Sequence, residues 1–70
     1  MAVIPTNITG TIFEVNVEVG STVAIGDEVV VIESMKMELP IEAEVAGTVA
    51  ELLVAPGDTV ENGQALIRLS

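Results

Sequence analysis

Only two side chains in this 70-residue sequence are cationic, Lys36 and Arg68, against eleven carboxylates. Lys36 is the sole lysine, and it stands in the stretch Glu33-Ser34-Met35-Lys36-Met37-Glu38. A primary amine can be acylated, and acylation removes its charge. The rest of the chemical inventory is thin. With no cysteine and no histidine there is no thiolate nucleophile, no imidazole base and no soft metal ligand. Ser21, Ser34 and Ser70 therefore have no base of that kind to activate them. Asp27 and Glu28 are neighbours and would point to opposite faces of a strand, while Glu42 and Glu44 would share a solvated one. Both pairs read as surface charge. The acidic residues are too dispersed for the alternating oxygen ligands of a calcium loop. The expectation is a chain with no catalytic residues and no metal site, and not an enzyme on its own. Lys36 is the one place for covalent chemistry, with Met35 and Met37 as soft apolar neighbours suited to recognition.

The elements that must position Lys36 emerge from an internal repeat. Ile8–Glu33 and Val45–Ser70 align over 26 positions without a gap, at an offset of 37. Identities include Gly10/Gly47, Gly20/Gly57 and Gly26/Gly63, and most other positions exchange one aliphatic residue for another. Glycines matched in register mark matched turns. The chain thus reads as one domain over residues 1–70, with repeat halves at about 8–33 and 45–70 and Lys36 between them. "FEVNVEVG" alternates, placing Phe13, Val15, Val17 and Val19 on one face. "IEAEVAG" places Ile41, Ala43 and Val45 inward. Val29 to Ile32 reads as a strand covered on both sides. Pro56-Gly57 suits a type II turn and Asn62-Gly63 a primed hairpin turn, with counterparts near Gly20 and Gly26. Branched aliphatics dominate and Phe13 is the only aromatic residue. Many short strands between glycine turns predict an all-β sandwich or flattened barrel, and Lys36 then falls at a hairpin tip.

Bulk properties remove other functions. A net charge of −9 repels nucleic-acid backbones and anionic membrane surfaces alike. No basic patch or aromatic platform offsets it. "MAVIPTNI" lacks the basic and apolar regions of a signal peptide, and the absence of cysteine is compatible with a reducing cytoplasm. A cytoplasmic location is the expectation. Leu53, aligned with the outward-facing Asn16, is the one hint of an unmodified interaction module.

These residues resemble the biotinyl/lipoyl attachment domain family. "ESMKME" is similar to its biotin-acceptor motif. Pro5, Gly10, "AGTV" at Ala46–Val49 and "PGDTVENGQALI" at Pro56–Ile67 extend the resemblance over essentially the whole chain. It implies a flattened barrel of two four-stranded antiparallel sheets, with the acceptor lysine on a hairpin at one end and the termini together at the other. It also implies that Lys36 receives biotin from a biotin protein ligase, with Met35, Met37 and Glu33 as flanking recognition residues. Such carriers take carboxybiotin from a biotin carboxylase to a carboxyltransferase, as in acyl-CoA carboxylase. The gap-free first repeat leaves no room for the protruding thumb of some bacterial carriers. Lipoyl domains usually have Asp before the lysine and Ala after it, so the two methionines favour biotin while lipoate on the same Lys36 stays open. The isolated domain is expected to be a monomer.

Overall fold

Short runs of branched aliphatics between turn residues form eight strands: β1 (Ala2–Pro5), β2 (Gly10–Val15), β3 (Thr22–Val23), β4 (Glu28–Ser34), β5 (Met37–Glu42), β6 (Gly47–Leu52), β7 (Thr59–Val60) and β8 (Ala65–Leu69). The structure, a computed structural model, describes residues 2–70. Of the domain expected over 1–70, only Met1 lies outside the described residues. The strands make two antiparallel sheets of four, in the orders β1-β8-β6-β3 and β5-β4-β2-β7. This is the architecture expected from the sequence.

The offset of 37 maps β1–β4 onto β5–β8 and carries one sheet onto the other. Even single hydrogen bonds recur. Thr6 N–H donates to the Gln64 carbonyl as Ala43 N–H donates to that of Asp27, and Asn16 N–H donates to Val29 as Leu53 N–H donates to Leu66. The repeat therefore begins earlier than the sequence alignment, with β1 equivalent to β5. That extension shares only Ile4 and Ile41 as identical residues between 2–7 and 39–44.

Four β-bulges, also symmetric, revise the expected faces. Phe13 and Ala50 are the extra residues where β2 meets β4 and where β6 meets β8. Val29 and Leu66 are the extra residues where β4 meets β5 and β8 meets β1. A bulge breaks the period-2 alternation. Phe13 consequently points out, 48% exposed, while Ile12 is buried. Val15 and Val17 pack against the core from its margin, but Val19 lies on an exposed turn. The bulge also changes how the Val29–Ile32 run is covered, since it buries two consecutive valines on one face in place of a strand covered on both faces. Val29 and Val30 are both buried across the bulge, and Val31 faces outward. Ile41 and Ala43 are buried as expected, whereas Val45 is exposed at the end of its run.

The turns obey one rule. Gly20, Gly26, Gly57 and Gly63 all have φ between 92 and 97°. Each is third in a four-residue turn closed by a backbone hydrogen bond, from Ser21 to Glu18, Asp27 to Ala24, Asp58 to Ala55 and Gln64 to Glu61. That is the type II position for glycine. Asn62-Gly63 is thus not a primed turn, because a primed type I turn needs positive φ at both central residues. In every turn the fourth residue's side chain accepts from the first residue's N–H, as in Asp27 Oδ2 from Ala24 at 2.8 Å. Gly10 and Gly47, by contrast, open strands β2 and β6 and mark no turn.

Between the sheets lies an aliphatic core that includes Ile12, Ile32, Val30, Leu66 and Leu69. Leu66→Ala is expected to cost about 2–5 kcal/mol, read as a fall in the urea midpoint. That is a large share of what so small a domain can hold.

Candidate functional site

The strands β4 and β5 pair in register up to Ser34 opposite Met37, leaving Met35 and Lys36 as the whole of the connection. Both have positive φ, 52° and 65°. A two-residue loop with both residues left-handed is the primed type I hairpin turn, for which Asn-Gly is the favoured sequence. No signal of that kind exists at Met35-Lys36. Left-handed backbone costs an ordinary L-residue roughly 1–2 kcal/mol, so the tip is strained at two consecutive positions. The strain persists because the long ladder behind the turn fixes the register.

Lys36 is exposed at this tip, as the sequence predicts. Met35 is 92% exposed and Met37 58%, so neither folds back onto the core. Glu33 lies directly opposite Glu38 on the neighbouring strand, two like charges one step behind the turn. The four predicted site residues thus converge on one end of one hairpin. Lys36, Met35 and Met37 are all exposed there. An acyl group attached to Lys36 would project into solvent and be free to enter another protein's active site.

The seat of the hairpin was not legible from the sequence. A Cβ on Gly10 would lie 2.5 Å from the Glu33 carbonyl oxygen, 2.8 Å from Ile32 Cγ2 and 3.2 Å from Ser34 Cβ. The bare backbone of β2 therefore presses against β4 immediately before the turn. At the equivalent Gly47 the nearest atoms, Leu69 Cβ and Cδ1, lie at 3.3 Å, so a shift of a few tenths of an ångström would make room. Gly10→Ala is expected to destabilise the domain by about 1–3 kcal/mol, and Gly47→Ala by clearly less. Urea unfolding of the two variants side by side checks this. Equal losses would mean that the contact with Glu33 carries no special weight.

Comparison with known proteins agrees with the geometry. The family model described as "Biotin-requiring enzyme" matches residues 2–69. A biotin/lipoyl attachment protein of Bacillus subtilis is 43% identical over 61 residues, covering 87% of this chain and 84% of that protein. The biotin carboxyl carrier protein of Streptococcus mutans is 42% identical over 66 residues, covering 94% of this chain but 51% of that protein. Among solved structures, Kluyveromyces lactis urea carboxylase contains a region matching 99% of this chain with a TM-score of 0.90 and 32% identity, which amounts to 6% of that enzyme.

Proposed function

This chain belongs to the biotin/lipoyl attachment family, and from that membership we propose that it is a biotin carboxyl carrier loaded on Lys36. The observation that carries the proposal is the tip itself. The only lysine stands exposed on a two-residue turn between two exposed methionines, in a family of biotin-requiring proteins.

Loading requires an amide bond between Lys36 Nζ and the carboxyl carbon of biotin. A biotin protein ligase supplies biotin as an activated acyl group. As the Nζ–C bond forms, the bond from the acyl carbon to the activating group breaks and that group departs, while the ammonium gives up two protons to solvent, leaving the domain about one unit more acidic. Bound biotin would supply a nitrogen that accepts and releases a carboxyl group. What this chain contributes is presentation. The rigid β4–β5 ladder holds the attachment point away from the body of the domain, and the long side chain plus cargo forms a tether. A tether raises the effective concentration of its end at any site it can reach. The partners are the biotin carboxylase and carboxyltransferase components of a carboxylase, between which the tip alternates.

The test is intact-mass measurement of the protein from cells that contain a biotin ligase, together with an avidin blot. One biotinyl adduct per chain is the expected result. A lipoyl mass instead would transfer the same carrier role to a different cargo, and an unmodified chain would end the proposal.

A further inference from the structure

The pseudo-two-fold gives the outward positions behind the turn equivalents on the other sheet, so the two outer faces can be compared residue by residue. On the sheet that bears the acceptor hairpin, the outward row across β5, β4 and β2 is Pro40, Val31, and Glu14 with the bulged Phe13. The equivalent row on the other sheet is Val3, Arg68, and Glu51 with the bulged Ala50. There, Arg68 Nε lies 3.1 Å from Glu51 Oε1, so a cation and a carboxylate cover the centre of the face. On the acceptor sheet a valine replaces the cation and the chain's only aromatic ring replaces an alanine. Phe13 stays 48% exposed.

Charge separates in the same way. The strands of the acceptor sheet hold Glu14, Glu28, Glu33, Glu38 and Glu42 and no cation, whereas those of the other sheet hold Glu51 and Arg68. Glu33 is opposite Glu38 and Glu28 opposite Glu42. Like charges directly across a ladder are destabilising, and an exposed ring at the middle of a sheet gains nothing from water. A scaffold that tolerates Arg68, Glu51 and Ala50 at the equivalent positions has no structural need for either feature. An apolar centre within a charged rim is the anatomy of a protein interface.

We propose that this face, centred on Phe13 and Val31, docks the enzyme that acylates Lys36, through an apolar patch on that enzyme ringed by lysine or arginine. The inference rests on the assignment of Lys36 as the attachment point. Two observations select this occupant. The five glutamates call for a cationic rim, and the row runs across both strands of the acceptor hairpin and onto the adjoining β2. Val31 is roughly 10 Å along β4 from Ser34, close enough for one protein to cover the row and receive the tip.

The symmetry also supplies the test. Phe13→Ala with Val31→Arg copies onto this face what the other already carries, with Glu14 placed to receive the new arginine as Glu51 receives Arg68. The double variant should therefore fold, which thermal melting verifies. Steady-state biotinylation by a biotin protein ligase, with the whole domain as varied substrate, is expected to show KM raised roughly ten-fold and kcat within about two-fold. Glu28→Lys with Glu42→Lys, remote from the tip, should likewise raise KM and weaken its dependence on salt. Val3→Ala, on the other sheet, should leave both constants unchanged. Unchanged KM in both double variants, with wild-type protein loaded normally, overturns the docking face and leaves the Lys36 assignment intact. A wild-type domain that gains no adduct overturns both.

Discussion

Lys36→Arg is expected to abolish the covalent adduct completely while leaving the fold untouched. Arginine keeps the positive charge and a long stem, but its guanidinium stays protonated and does not form the amide. No second lysine exists to take over. The side chain is exposed and contributes nothing to the core, so the melting temperature should stay within a degree or so of the parent. Intact-mass analysis and an avidin blot read the first half of this result, and calorimetry the second. An adduct that survives in the arginine variant would place the attachment elsewhere and undo the functional reading.

The opposite trade is expected from Met35→Asn with Lys36→Gly. The tip holds two ordinary residues at φ 52° and 65°, where Asn-Gly is the preferred pair. Relieving about 1–2 kcal/mol at each, less the entropy that glycine loses on folding, leaves a net gain of about 2 kcal/mol. For a domain of this size that corresponds to a melting temperature higher by roughly 8–16 °C. The variant would be more stable and unable to carry anything. An unchanged or lower melting temperature would show that the surrounding ladder, and not the turn sequence, sets the cost. If the gain appears, the present turn is a case of stability given up for a site.

Much of this was legible in the sequence, and the parts that were not share a cause. Gly20/Gly57 and Gly26/Gly63, in register at a constant offset, revealed the repeat, and the repeat placed Lys36 at the link between its halves. The exposure of Met35 and Met37 followed from their place at that tip. The bulges left no local trace, since a bulged valine and a ladder valine look alike in a string of valines. Strict alternation therefore puts Phe13 on the wrong face and reads Val29–Ile32 as a doubly covered strand. Asn62-Gly63 carries the dipeptide of a primed turn, yet a type II turn holds it through the Gln64 side chain and tertiary hydrogen bonds such as Gly63 N–H to Thr6. The real primed turn, at Met35-Lys36, has no sequence signature, because neither residue is one that favours positive φ. Gly10 was visible as a repeat glycine, but its close approach to Glu33 is a property of two strands packed together.

The symmetry has one more consequence, for stoichiometry. Among the six strand pairings, β1 with β8, β3 with β6, β2 with β7 and β4 with β5 join one half to the other. Neither half can close a sheet by itself, so architecturally the domain is a fused homodimer. In an unfused pair each seam would be alike. Here one seam is closed by the turn Met35-Lys36, while at the other Ala2 pairs with Leu69. Fusion of the two halves through a single turn thus leaves one lysine at one turn, and the carrier role proposed for it would set a one-to-one ratio of domain to payload.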